Sequence, residues 1–179
     1  NEDFTYNFNN LDIIANGSEI IYMYHDYYSN SRDMNVYIDN STLRAGSSGD
    51  RDVFTYGCCT SNSNDERIFI ENSFIVGDIN QRSLRQFYAY RSTFKNTNFD
   101  ISIDNGDTGF QMESCTVDNG HFYTDGDGLI KNTIFYPNIE FDNYHNSSNL
   151  EFQYCLNIPE DAPEIGVYNI SGDPLFVDV

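Results

Sequence analysis

The chain has no tryptophan, four prolines, four cysteines and only 9 lysines and arginines against 28 aspartates and glutamates. The shortage of positive charge leaves a formal net charge of −19. Such a field repels nucleic acid and anionic membranes. It also weighs against an anionic polysaccharide such as pectate or alginate, unless calcium bridges the two. Neutral glycans, cations and basic partners stay open. No apolar run approaches the roughly 18 residues of a membrane span, so membrane insertion is not expected. No signal peptide is visible. The first residues already read as strand, and no amphipathic helix precedes them. Exposed terminal strands are a pairing hazard, so the expectation is a processed protein or a fragment of a longer surface protein.

Catalytic signatures are missing too. There is no GxSxG, no phosphate loop and no dinucleotide fingerprint. His25, His121 and His145 show no ligand spacing. Cys58 and Cys59 are adjacent, in a Gly/Ser/Asn-rich stretch without CxxC spacing, and read as loop or core thiols.

What the chain does have is aromatic and apolar residues, with 14 Tyr, 14 Phe and 39% hydrophobics. That is too apolar for disorder. Residues 1–179 are expected to form a single domain with a sizeable core.

An eight-residue phrase organises it. The phrase reads VYIDNSTL at Val36–Leu43, IFIENSFI at Ile68–Ile75 and FYAYRSTF at Phe87–Phe94. It returns as FQMESCTV at Phe110–Val117 and GLIKNTIF at Gly128–Phe135. Weaker copies stand at Tyr6–Ile13 and Leu150–Asn157. Positions 1, 3 and 8 are mostly apolar. Position 6 is small: Ser41, Ser73, Ser92, Cys115, Thr133 and Cys155. Alternation at positions 1 to 3 is strand periodicity. Positions 6 and 8 then fall out of phase with 1 and 3, as two strands joined by a sharp corner would. Position 5 sits in the corner and is Asn10, Asn40, Asn72 and Asn132 in four copies. Asn enters the left-handed region cheaply, and such a corner needs that.

Successive third positions are Phe8, Ile38, Ile70, Ala89, Met112, Ile130 and Phe152, spaced by 30, 32, 19, 23, 18 and 22 residues. Repeats of this length mean stacked units, because one unit cannot bury its own apolar face. Stacking at about 4.8 Å places like positions above one another. Cys115 and Cys155 would then lie two units apart, about 9.6 Å. A disulfide needs Cα atoms within about 7 Å, so both are expected to be free, buried thiols. IIYMYHDYY (Ile20–Tyr28), VFTY (Val53–Tyr56), FDISID (Phe99–Asp104), HFY (His121–Tyr123) and IEF (Ile139–Phe141) read as companion strands. A β-sandwich with accidental repetition is the alternative, and seven in-phase copies argue against it.

The phrase resembles the coil of a right-handed parallel β-helix of the pectate-lyase-like superfamily. That family stacks Asn at a tight corner and keeps small Ser, Thr and Cys residues inside, with N-S-T-F-like strings after the corner. ISGDPLFVDV (Ile170–Val179) is similar to the closing coil of bacterial surface β-helix proteins. The resemblance implies an all-β, single-stranded solenoid of about seven coils, secreted or displayed on a cell surface.

Two outward lines carry the candidate chemistry. Position 2 presents Tyr37, Phe69 and Tyr88 in consecutive units, an aromatic strip suited to sugar rings or to covered cross-strand stacking. Position 4 presents Asp39, Glu71, Tyr90, Glu113 and Lys131. Asp39 and Glu71 would lie one unit apart, a separation suited to a carboxylate pair or a cation. In pectate-lyase-like enzymes acidic residues on adjacent coils hold calcium beside a basic residue, which would make Arg91 or Lys131 the base. No catalytic motif of that family matches residue by residue. Asp125 and Asp127 in DGDG, with NGDTG at Asn105–Gly109, resemble fragments of calcium loops, and turn chemistry alone explains them. Asn16, Asn40, Asn146 and Asn169 stand in glycosylation sequons.

The expectation is a monomeric, adhesin-like or carbohydrate-binding module without catalysis of its own. Its partner would be a glycan or another surface protein, and calcium is the one cofactor the turns admit. The alternative is a polysaccharide lyase or glycoside hydrolase working on the outer face of the helix.

Overall fold

The computed structural model describes residues 4–15, 19–24, 34–46, 51–57, 66–103, 109–136, 138–141, 150–158, 162 and 166–171. Among them there is no helix, and every strand pairing is parallel. Strands are numbered along the chain. Each of the first six copies of the phrase supplies one strand to a first sheet and, past its corner, one strand to a second; in the seventh, Leu156 makes an isolated bridge to Ile134 there.

The first sheet has eight strands in chain order: β1 (Phe4–Asn9), β4 (Met34–Asp39), β7 (Glu66–Glu71), β10 (Gln86–Tyr90), β12 (Phe110–Glu113), β14 (Gly128–Lys131), β17 (Leu150–Gln153) and β18 (Gly166–Val167). Register places third positions together, as in Ile38↔Ile70, Ala89↔Met112 and Ile130↔Phe152. The eighth strand adds a member to the seven that the sequence marks. Its third position is Gly166 and its strand is two residues long, so no apolar alternation announces it.

The second sheet has two ladders. One joins β2 (Asp12–Ile14), β5 (Thr42–Arg44), β8 (Phe74–Val76) and β15 (Ile134–Phe135) to the first halves of β11 (Thr93–Ile103) and β13 (Thr116–Asp125). The other joins β3 (Ile21–Tyr24), β6 (Asp52–Gly57), β9 (Asp78–Leu84) and β16 (Ile139–Phe141) to their second halves. The described parts of the expected companion strands belong to this second ladder; residues 25–28 and 104 lie outside the described residues.

The corners explain the path. Position 5 is left-handed in every copy, with φ of 48–57° at Asn10, Asn40, Asn72, Arg91, Ser114, Asn132 and Tyr154, and again at Tyr168 (59°). Backbone geometry therefore holds even where the residue is not Asn. Side chains link the corners. Asn40 donates its amide to Asn10 Oδ1, and Asn72 donates to Asp39 Oδ1 at 2.9 Å. A second corner, unmarked by the phrase, bends β11 at Asn96 (φ 50°) and β13 at Asn119 (φ 59°), and Asn138 repeats it. Asn119 donates to Asn96 at 2.8 Å.

Small residues line the inside of the first corner, where a buried N–H must find a partner. Ser41 accepts from the Leu11 N–H, Ser73 from the Ser41 N–H and Ser92 from the Ser73 N–H, each at 3.1 Å. Each hydroxyl also donates to the carbonyl two residues before it. Cys115, Thr133 and Cys155 make the same backward bond. The last copy substitutes Asn169 Oδ1, which accepts the Cys155 N–H at 2.9 Å. Cys115 and Cys155 are free and buried, as the two-unit spacing requires. Burial pushes the Cys115 thiol up to about 12 and also raises Cys155.

Inside, like residues stack. Phe99 and Phe122 lie 4.4 Å apart, Phe122 and Phe141 4.7 Å, and Phe87 and Phe110 5.3 Å, all nearly parallel. Edge contacts such as Phe94–Phe99 cross between the columns. Each such pair contributes about 0.5–1.5 kcal/mol beyond the apolar area it buries. Gly128 fills a first position because a Cβ there would stand 2.8 Å from Leu150 Cδ2 and from the Phe110 carbonyl.

Candidate functional site

The outer face of the first sheet carries the residues singled out in the sequence. Tyr37, Phe69 and Tyr88 are register partners in turn. The Tyr37 and Phe69 rings stack at 4.6 Å and 6°, and Phe69 meets Tyr88 edge-on at 6.4 Å. Tyr88 lies parallel to Tyr90 at 6.3 Å, and the Arg91 guanidinium sits 4.7 Å over the Tyr90 ring. The strip is continuous, but the rings cover one another. Tyr37 is the most exposed of the three, at 40%. The Tyr88 hydroxyl is held above its ordinary pKa by burial, then by Glu113 and Glu71.

Position 4 is arranged strand by strand: Asp39 beside Glu71, Glu71 beside Tyr90, then Glu113, then Lys131. Asp39 and Glu71 are therefore one unit apart, as the spacing implies. Asp39 accepts from Asn72, so it serves the corner. Arg91 occupies a corner itself and packs on Tyr90. These five groups run in file along the sheet, and the structure does not gather them around one point. Asp127 is exposed in the turn before β14, and Asp125 ends β13, its side chain lying outside the described residues. Cys58, Cys59, His25, His145 and most of NGDTG also lie outside them. Among the described residues no three His, Cys, Asp or Glu side chains assemble a metal site.

A different face does gather chemistry. Outward side chains of β6, β9, β11 and β13 line a cavity of about 420 Å³: Asp52, Asp78, Asn80, Asn98, Asp100, His121 and Tyr123. A second cavity, of about 260 Å³, shares Asn98 and His121 with it and extends to Glu140 and Arg51. Together they form one trough across five strands. Register builds it. Asp52 pairs with Asp78, Asn80 with Asp100, and Asp100 with Tyr123. Asn98 pairs with His121, and His121 with Glu140. Their inward neighbours Ile79, Phe99, Ile101, Phe122 and Phe141 are core residues, which holds the lining rigid.

Several lining groups are oriented in advance. Asp78 Oδ1 accepts the Asn98 N–H at 3.0 Å, and its other oxygen lies 4.0 Å from Arg51. Thr55 donates to Asp52 at 2.7 Å. The floor at the second corner is Gly120, where a Cβ would come within 2.1 Å of the Thr97 carbonyl. Four carboxylates face one guanidinium, so the trough disfavours anions. The mixture of carboxylate, amide, imidazole and phenol can both donate and accept hydrogen bonds.

The phrase missed this trough because its residues fall after the eighth position. The available signal was a second pattern, apolar-x-Asn-x-x-Phe, in Phe94–Phe99 and Val117–Phe122. Compared with protein-family models, with curated proteins and with solved structures, the chain matches none.

Proposed function

We propose that this chain is a right-handed parallel β-helix of the pectate-lyase-like kind, a secreted or cell-surface module that binds glycan without cleaving it. The solenoid reading is supported by strand order, since first-sheet strands follow the chain one by one in parallel. The binding reading is carried by the trough, where outward side chains line two adjoining cavities that share Asn98 and His121. Binding sites of this size are concave and present a few oriented polar groups. The aromatic strip is the lesser surface in this reading, because Tyr37 stacks on Phe69, Tyr88 lies parallel to Tyr90, and Phe69 meets Tyr88 edge-on.

A hydrolytic reading has one observation in its favour: Asp52, Asp78, Asp100 and His121 share the same cavity. Paired carboxylates or a carboxylate with imidazole can serve as acid and base on a glycosidic bond. In the non-catalytic reading the same groups only accept hydroxyl hydrogen bonds.

The test is a glycan-array screen of the protein with and without calcium, with products examined by mass spectrometry. Binding without cleavage, lost in Asp100→Ala and His121→Ala, is the expected result. Cleavage that stops in Asp100→Asn would replace it with the hydrolytic reading. Binding indifferent to both trough substitutions but lost in Tyr37→Ala would move the site to the strip.

A further inference from the structure

Glycans differ in charge, and the trough discriminates on that basis. We infer that it takes an uncharged, unbranched saccharide chain lying across the strands, along the direction in which they stack. This rests on the trough being the glycan site.

Direction follows from register. Asp52, Asp78, Asn98, His121 and Glu140 follow one another across five neighbouring strands. At about 4.8 Å per strand the line from β6 to β16 is about 19 Å long. That is the reach of a short oligosaccharide, with one strand facing roughly each sugar. Both cavities cross strands along this line, the first from β6 to β13 and the second from β11 to Glu140 on β16.

Charge and hydrogen bonding set the class. Uronate chains would bring anions against four carboxylates, opposed among the described lining residues by the Arg51 guanidinium. The interior carboxylates are partly engaged already, Asp78 by Asn98 and Arg51 and Asp52 by Thr55. Much of the remaining lining is neutral, led by Asn80, Asn98, Asn138 and Tyr123. An amide offers a donor and an acceptor together, and so does a hydroxyl. A neutral polyol therefore satisfies this lining group for group. Asp78 and Asp52, already held by hydrogen bonds on a fixed strand backbone, lose little freedom on binding, which favours affinity from few contacts.

The experiment is calorimetric titration of the full chain with unbranched hexamers: neutral glucan, mannan, xylan and chitin, cationic glucosamine and anionic galacturonate. A neutral hexamer should bind, with Kd nearly unchanged between about 0.05 and 0.5 M NaCl, because no ion pair is screened. Asn80→Ala and Asp100→Ala should each weaken it about tenfold, the loss of one good hydrogen bond. Tyr37→Ala should leave it unchanged. If the glucosamine or galacturonate hexamer binds tightest, with steep salt dependence and a Kd shifted either way by Asp100→Ala, the charge inference is overturned while the trough stays the site. If no hexamer binds, or neutral binding ignores Asn80→Ala and Asp100→Ala, the trough reading falls with it. Far-ultraviolet circular dichroism and urea midpoints of each variant separate lost contacts from lost folding.

Discussion

The side-chain amide of Asn72 donates to the carboxylate of Asp39, its neighbour from the preceding repeat, at 2.9 Å. A residue that reads as catalytic acid is thereby a partner of the corner. Asp39→Ala should lower stability by about 0.5–1 kcal/mol, the range for an exposed hydrogen bond to a charge. Asp39→Ala with Glu71→Ala should leave glycan binding intact. Urea midpoints and the glycan array check the two halves. Loss of binding with unchanged stability would return Asp39 to the functional list.

Ser73 is the buried counterpart. Its hydroxyl accepts the Ser41 N–H and donates to the Glu71 carbonyl. Ser73→Ala orphans that N–H and should cost about 1–3 kcal/mol. Ser73→Cys should cost clearly less, since Cys115 and Cys155 make the same backward bond. Amide exchange at Ser41 should accelerate in Ser73→Ala and not at distant strands.

Cys115 makes stability depend on alkaline pH. Its folded thiol titrates at about 12, against 9.0 for an ordinary thiol. Between those values the unfolded chain releases a proton that the folded chain retains, so stability falls as pH rises. The raised Cys155 thiol acts in the same sense. Urea midpoints should drop from pH 8 to pH 11, and Cys115→Ser should flatten the slope while keeping the ladder bond. An equal slope in Cys115→Ser would assign the effect to other groups.

Gln81 is fully buried on β9, and among the described residues neither its amide nitrogen nor its amide oxygen has a hydrogen-bond partner. Desolvating an amide without a partner is unfavourable by about 1–3 kcal/mol. Gln81→Met, of nearly the same volume, should therefore raise the urea midpoint. A fall would show that the amide holds a water-mediated bond instead.

The repeated phrase by itself determined the parallel pairing, the left-handed corner, the small buried ladder and the free thiols. Each of these is local to one repeat, and burial against its own copies punishes departure at the same positions every time. Arg91, Ser114 and Tyr154 show how strong that is, since stacking holds them left-handed where no Asn helps. Only the tertiary structure decided the eighth strand, the second corner at Asn96 and Asn119, the mutual covering of Tyr37, Phe69 and Tyr88, and the trough. Outward side chains such as Asp78, Asp100 and His121 face no burial rule, so no periodicity marks them. Register partners such as Asn80, Asp100 and Tyr123 stand about 20 residues apart in sequence, and stacking alone converts them into neighbours about 4.8 Å apart.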